Sequence, residues 1–554
     1  MVLGARKKYS SSTVLPYPSV MNFEKGVLIP EPVDPKCVEI LQDIDIPVVV
    51  KVGLKPDELK KEIKQFSGLI IRSATKVTAD LLAAAENLRV IGRAGVGVDN
   101  IDLEAATEKG VLVINAPGGN TLSAAELTCV MITSLSRNIY EAASSLKAGK
   151  WDRKSFMSNE LDGKTLAIIG LGRIGREVAH RMQSFGMKTI GFDPLVPAEE
   201  SKKFNVESME LEKIWLLADY ITVHTPLIPQ TTNMINEAVF AKCRKGVKII
   251  NCARGGIVDE TALLAALKSG QCGGAGLDVY TQEPPKCTEL LQHPKVICTP
   301  HLGASTYEAQ CRVAEEIAQQ FVSLHRGQPI HGIVNSPAYS LSRLHGQWAK
   351  ISKTLGAFIS MLFTDFDKTI SVTVNVYGRE LQKKEPLFAT AVLMGILKQR
   401  CGIDANYVNA VKLGRERGFQ VTKVINNHIS LDSVSVELTA TGITGTHSIL
   451  GTLNNGEPAL CNIDNCQFKT VPYLSNDLVF VKGSNANDLM LKVFGILALN
   501  NLVHNIAWAE RPKDSEGSWC VLQTRGKVEE MPDEVIEQIK SARRYVDFWQ
   551  QLQL

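Results

Sequence analysis

Between Gly26 and about Ala116, short aliphatic runs (GVLIP, VVVKV, LIIRS, VIGRA, VLVINA) alternate with amphipathic stretches such as DELKKEIKQF and TADLLAAAENL. Runs that are continuously apolar suit strands buried on both faces, and their alternation with helical segments predicts a parallel α/β sheet. A helical periodicity follows from Thr121 to about Lys147. A second alternation then begins, TLAIIG, KTIGFD, DYITVHT, VKIINCA, GAGLDVY and KVICTP, which predicts a second α/β lobe. The next helix opens with Ser305 and Glu308 at capping-box spacing and runs to about Arg326, where Gly327 stops it. Its place in the order carries the chain back to the first lobe.

Beyond Pro337 the texture changes. TISVTVNVYG and SVSVELTATG alternate with period two, Asn455-Gly456 signals a hairpin, and a helical region lies between, together an α+β module. From about Leu478 the pattern reads strand (LVFVK), helix (NDLMLKVFGILAL), strand (HNIAWAE), strand (SWCVLQTR), helix (DEVIEQIKSARRY), the split βαβ order of ferredoxin type. It reads as a small regulatory or assembly domain.

A chain of 554 residues exceeds what one core supports, so three or four domains are expected. A formal charge of +3 at this length argues for no nucleic-acid partner. The 12 cysteines are scattered without a CxxC grid, which favours reduced thiols over disulfides or a zinc site, and so the cytosol. No run reaches the roughly 18 to 20 apolar residues of a membrane span, so a soluble protein is expected. The first twenty residues carry Arg6, Lys7, Lys8, several serines and no acid, a faint likeness to a transit segment. A disordered tail is the stronger expectation, and either Met1 or Met21 could begin the working protein.

After the apolar strand Thr165 to Ile169 comes Gly170-Leu171-Gly172-Arg173-Ile174-Gly175, then a helix with Ile174, Val178, Met182 and Phe185 on its expected core face. A GxGxxG string alone is weak, but here both flanking elements are present. The first glycine makes the tight turn, the second lets backbone approach a pyrophosphate, and the third lets helix pack on strand. The helix N-terminus favours the phosphates. Asp193, at the end of the next strand, stands where a carboxylate accepts from the adenosine ribose, and no arginine follows at once, which favours NAD over NADP.

Three further strand ends carry unusual residues: Arg254 in NCARGG, Glu283 in a proline-flanked loop, and His301 in TPHLGA. Removing a hydroxyl proton while hydride leaves the same carbon needs a base with a pKa near working pH, the histidine range. His301 is assigned that role, Glu283 the role of fixing its tautomer, and Arg254 that of a two-pronged carboxylate clamp. Each alone reads more readily as structural; together they supply the parts of a 2-hydroxyacid oxidation. His224 has no such company and reads as structural.

These segments resemble the D-2-hydroxyacid dehydrogenases over roughly residues 26 to 335. The resemblance implies two Rossmann-like lobes, a discontinuous substrate domain (22–118 and 303–335) around an inserted NAD domain (119–302), with the active site between. It also implies Arg254, Glu283 and His301 as the catalytic triad. Val96, Gly170, Gly172, Arg173, Ile174, Gly175, Asp193, Thr225, Cys252, Ala253, Arg254, Asp278, His301, Leu302, Gly303 and Ala304 would then be cofactor contacts. GRAGVGVDNID and IRSATKVT resemble the branch that oxidises 3-phospho-D-glycerate to 3-phosphohydroxypyruvate, the first step of serine synthesis. Arg72, Ser73 and Arg93, with Arg254 and His301, would then hold the phosphorylated 2-hydroxy acid. By the same resemblance Val96 stands where related sequences carry a polar cofactor contact, which would leave a van der Waals contact and weaker binding.

The remainder, after a tail at 1–21, resembles more loosely an intervening α+β domain (336–475) and an ACT-like domain (476–554). The region near Lys482-Gly483-Ser484-Asn485 lacks an Asp-x-Pro-Gly turn, which argues against serine feedback. The helix Thr121 to Lys147 with Trp151 is the expected interface of a homodimer or homotetramer. Two rivals stay open, a glyoxylate/hydroxypyruvate reductase and an NAD-sensing corepressor of the same fold.

Overall fold

Five aliphatic runs form β1 (Val27–Ile29), β2 (Val48–Val50), β3 (Gly68–Ile71), β4 (Val90–Arg93) and β5 (Leu112–Asn115), one parallel sheet in the order β2-β1-β3-β4-β5. β1, β3 and the first three residues of β4 are fully buried, which is why their sequences are continuously apolar. In this computed structural model residues 21–363 are described without a break. Beyond them the described residues are 371–377, 381, 384–425, 435–442, 445–474, 477–483, 495–500, 503–510, 518–524, 534, 537–538 and 548–552. The tail therefore lies outside the described residues.

The second lobe contains β6 (Thr165–Ile169), β7 (Lys188–Phe192), β8 (Glu207–Ser208), β9 (Tyr220–Val223), β10 (Val247–Asn251), β11 (Cys272–Leu277) and β12 (Val296–Cys298). All neighbours are parallel, in the order β12-β11-β10-β9-β6-β7-β8. The order reverses between β6 and β9, and that switch point is where an open α/β sheet leaves its binding crevice. β8 has two residues and left no periodicity to read.

The helix Tyr307–His325 returns to the first lobe, where Val313, Ile317 and Phe321 join Phe23, Val27, Ile70 and Val90 in one core. Phe321 fits because β3 and β4 carry glycine beneath it: a Cβ on Gly92 would stand 2.5 Å from the ring and one on Gly68 2.9 Å. Burying a ring of this size stabilises by about 2–3 kcal/mol. This helix is capped by Thr306, whose hydroxyl accepts from Ala309 N, rather than by Ser305.

Two further expectations are corrected. The helical stretch after the first lobe is two helices, Thr121–Arg137 and Ile139–Lys147, separated at Asn138, which adopts the left-handed conformation that asparagine tolerates. The helix after the glycine motif spans Arg173–Gln183, ending short of Phe185, which is 54% exposed and not on its core face; Gly175, Val178, Ala179 and Met182 are.

Beyond Pro337 the strands are β13 (Ser371–Tyr377), β14 (Gln420–Ile425), β15 (Ser435–Gly442), β16 (Gly445–Asn454), β17 (Glu457–Ile463), β18 (Cys466–Phe468), β19 (Asp477–Gly483), β20 (Val503–Glu510), β21 (Ser518–Thr524) and β22 (Phe548–Leu552). Asn455 and Gly456 both have positive φ and close the β16–β17 hairpin, as the Asn-Gly pair predicts. The last four strands pair antiparallel in the order β20-β21-β19-β22, the order a split βαβ unit produces. Most residues of its two expected helices, and Ser484-Asn485, lie outside the described residues. β18 pairs with β20, so one sheet runs from the α+β module into the terminal strands. Phe358 stacks on Phe480 at 3.8 Å, and both belong to a core shared by the two segments.

Candidate active site

Gly170, Gly172 and Gly175 each meet a different requirement. Gly170 has φ +98°, and a Cβ on it would stand 2.5 Å from the His224 carbonyl oxygen, so the β6 turn closes against the end of β9 only with glycine there. A Cβ on Gly175 would strike the Gly170 carbonyl at 2.1 Å, whereas one on Gly172 would meet nothing within 4 Å. The cradle is thus tight below and open above, the shape a pyrophosphate needs, with exposed Arg173 opening the helix beside it. Ile174 is half-buried on that helix. Asp193 closes the loop: its Oδ2 accepts from Leu171 N and its Oδ1 from Leu195 N, both at 2.8 Å.

The facing wall comes from the ends of β9 and β10. His224 is half-buried beside Thr222 (3.0 Å), and desolvation lowers its pKa to about 4, which favours the neutral ring. The Thr225 hydroxyl is buried with no hydrogen-bond partner among the described residues, an orphaned group consistent with a ligand contact. Burial, with Asp278 nearby, pushes the Cys252 thiol up to about 12, so it lines the site as a neutral apolar group.

At the next two strand ends the chain builds an imidazole–carboxylate pair. His301 Nδ1 lies 2.9 Å from Glu283 Oε2, while Glu283 Oε1 accepts from Tyr280 N at 3.2 Å. His301 has φ +56°, in the left-handed region that few residues other than glycine adopt and that histidine tolerates better than most. Asp278, fully buried, accounts for how it is held. Its Oδ1 accepts from Thr299 Oγ1 (2.6 Å) and Leu302 N (2.7 Å), and its Oδ2 from Gly303 N (2.8 Å). The expected cofactor contact is therefore fully engaged in shaping the Thr299–Gly303 turn, next to half-buried Ala304. A Cβ on Gly255 would stand 1.8 Å from the Tyr280 carbonyl, so the Arg254 loop lies directly on the Glu283 loop.

The first lobe faces this pair with guanidinium groups. Arg254 Nε lies 3.2 Å from Asp99 Oδ2, and Arg254 Nη1 donates to its neighbour's carbonyl, Ala253 O, at 2.6 Å. Arg93 is half-buried, and its Nε is buried with no partner among the described residues. Burial first, then Arg254 and Arg72, lowers its pKa to about 10, against the opposing pull of Asp99 and Glu31. Three cations thus lie within electrostatic reach of one another, an arrangement suited to a multiply charged anion. Val96 contributes backbone, its carbonyl accepting from Asn115 Nδ2 at 2.5 Å. Ser73 is exposed beside Arg72. Asp99, Glu31 and Asn100 went unread in the sequence: Glu31 lies just after β1 and Asp99 and Asn100 in the loop after β4, and each meets a partner distant in the chain.

A dinucleotide cradle at a switch point, an imidazole–carboxylate pair at the neighbouring strand ends and an anion site on the facing lobe define an NAD-dependent 2-hydroxyacid dehydrogenase. The family model of the D-isomer specific 2-hydroxyacid dehydrogenase NAD binding domain matches residues 129–303, and that of the D-3-phosphoglycerate dehydrogenase intervening domain matches residues 345–464. A D-3-phosphoglycerate dehydrogenase of Sus scrofa is 48% identical over 482 residues, 86% of this chain and 90% of the relative; that of Homo sapiens is 54% identical over 401 residues, 72% of this chain and 75% of the relative. The crystal structure of the TT0316 protein from Thermus thermophilus superposes with a TM-score of 0.50 at 32% identity, covering 56% of this chain and 99% of that one. The chain belongs to the D-3-phosphoglycerate dehydrogenases, within the D-isomer-specific 2-hydroxyacid dehydrogenase family.

Among the described residues no helix is long and apolar enough to cross a membrane and no group of three or more His, Cys, Asp or Glu side chains could hold a metal.

Proposed function

We propose that the chain oxidises 3-phospho-D-glycerate to 3-phosphohydroxypyruvate, with His301 as acid/base, Glu283 as its orienting partner and Arg254 as the carboxylate clamp. The observation that carries this reading is the 2.9 Å His301–Glu283 pair, together with the convergence of Arg72, Arg93 and Arg254. When bound, NAD supplies the acceptor for the hydride that leaves the substrate carbon. Gly170, Gly172, Gly175, Arg173, Ile174, Asp193, Thr225, Cys252 and Ala253 would hold it, with Val96, Asp278 and the Leu302–Ala304 turn around the reacting end.

The chain's own residues do the rest. Arg254 fixes the carboxylate, and Arg72 and Arg93 with Ser73 hold the charged far end, so the reacting carbon has one orientation. His301 donates from Nδ1 to Glu283, which leaves Nε2 to take the hydroxyl proton. Glu283 stabilises the imidazolium that results.

The units 22–118 with 303–335, 119–302, 336–475 and 476–554 serve this reading as substrate, NAD, intervening and ACT-like assembly domains. Exposed Val130, Ile139, Tyr140, Leu146 and Trp151 on and after the two helices that follow the first lobe support a homodimer or homotetramer. Unpaired thiols such as Cys37, Cys252 and Cys520 fit the cytoplasm.

The test is NADH formation at mildly alkaline pH with 3-phosphoglycerate, D-glycerate and D-lactate in parallel, with hydrazine to trap the keto product. Preference for the phosphorylated acid is expected, with turnover falling by about 10²–10⁴ in His301→Ala while NADH binding persists. Activity confined to an unphosphorylated acid would make it a sibling reductase, and NADH binding without turnover would favour the corepressor.

A further inference from the structure

The first lobe buries a carboxylate that proton transfer does not use. Glu31, in the turn after β1, is 6% exposed, and its two oxygens accept from three backbone amides of a single turn. Arg72 N (3.0 Å) and Thr75 N (2.7 Å) donate to Oε1, and Ala74 N (2.9 Å) donates to Oε2. Asn100, in the loop after β4, holds the same turn by its carbonyls, its Nδ2 donating to Arg72 O at 2.8 Å and Thr75 O at 2.6 Å. Pro32, next to Glu31, accepts from Arg72 Nη1 at 3.2 Å. Amid these bonds the Ser73 amide donates to no group among the described residues, and Ser73 is exposed.

We infer that Glu31 is a positioning residue for substrate binding: it folds the Arg72–Thr75 turn so that the Arg72 guanidinium and the Ser73 amide are offered together to the anionic substrate. The inference rests on the assignment of Arg72 and Ser73 to the substrate. Only a carboxylate suits the place. It accepts at both oxygens and donates at neither, whereas a glutamine would set its own N–H2 against one of the three amides. A buried negative charge beside an anion site would ordinarily oppose binding. Here the charge is engaged by amides, and it offsets the mutual repulsion of Arg72, Arg93 and Arg254. The consequence is a cationic site assembled before substrate arrives, so little ordering cost remains at binding.

Glu31→Gln, Glu31→Asp, Arg72→Ala and the Glu31→Gln/Arg72→Ala double variant are compared in the full chain. The readouts are KM and kcat for 3-phosphoglycerate, the NADH dissociation constant, and the kcat/KM preference for 3-phosphoglycerate over D-glycerate. Glu31→Gln is expected to raise KM for 3-phosphoglycerate by about tenfold to a hundredfold, the worth of a hydrogen bond to a charged group. The preference for the phosphorylated acid falls with it, and NADH binding is unchanged. Glu31→Asp lies between, and the double variant is impaired by less than the product of the two single effects, because Glu31 acts in part through Arg72 and in part through the Ser73 amide. Should Glu31→Gln not fold, read as loss of its cooperative urea unfolding transition, Glu31→Asp carries the test. Unchanged KM and preference in the Glu31 variants, with a raised KM in Arg72→Ala, would overturn the inference alone; a proportional loss of NADH binding would reduce Glu31 to a structural role. An Arg72→Ala variant with normal KM would instead remove the substrate assignment on which the inference stands.

Discussion

Asp99 Oδ2 lies 3.2 Å from Arg254 Nε, an ion pair that reaches from the first lobe to the second, with the aspartate side chain 73% exposed and the arginine 28%. On the proposed role of Arg254 as carboxylate clamp, Asp99 competes with the anionic substrate for this guanidinium. An exposed pair is worth only about 0–1 kcal/mol, so the competition is mild. Asp99→Asn is expected to lower KM for 3-phosphoglycerate by up to about fivefold at low salt, with kcat unchanged and the gain lost at high salt. A raised KM would mean instead that Asp99 orients Arg254.

Gly97 bears on the same guanidinium. A Cβ there would stand 2.4 Å from Arg254 Nη2 and 2.8 Å from Asp99 Oδ2, both at the ends of side chains that can move. Gly97→Ala should fold and bind NADH normally while displacing Arg254, raising KM and lowering kcat together by about tenfold or more. Kinetics indistinguishable from those of the parent chain would show that Arg254 has room to spare.

Arg93 sits where burial and two neighbouring cations disfavour charge, which lowers its pKa to about 10. It is still a cation at pH 7 to 9. A lysine starts from about 10.4, and the same environment acts on it in the same direction, which brings its loss of charge into the assay range. In Arg93→Lys, KM for 3-phosphoglycerate should rise as pH rises from 7 to 9, while the parent chain stays flat over that interval. Parallel profiles would place Arg93 outside the anion site.

His224 is neutral in the fold, with burial holding its pKa near 4 against an ordinary value of about 6.5. Between those values the unfolded chain binds the proton and the native chain does not, so stability falls as pH drops from 6.5 towards 4. The loss attributable to this group is about 3 kcal/mol. His224→Gln, which keeps a polar partner for Thr222 and cannot titrate, should show a shallower acid loss in urea unfolding at pH 7 and pH 4.5. Equal slopes would assign the acid sensitivity to other groups.

The two sheets, the glycine cradle and the Arg254, Glu283 and His301 positions were legible because each depends on local pattern. Apolar runs report strands buried on both faces, glycine spacing reports a turn, and residues at strand ends report a binding edge. Helix limits were less legible. The break at Asn138 depends on a single left-handed residue, and Phe185 falls beyond a helix end that periodicity alone does not mark.

What the sequence determined by itself was therefore the class of chemistry, since the residue types able to carry a proton, clamp a carboxylate and cradle a pyrophosphate stand at readable positions. What only the tertiary structure decided was which groups hold them there. Glu31 reaches a turn 41 residues away, Asn100 one 28 residues away, and Asp99 crosses from one lobe to the other. Asp278 likewise shapes a turn 24 residues on. Contacts of that separation form only once the sheets have set strand ends side by side, so no local pattern encodes them.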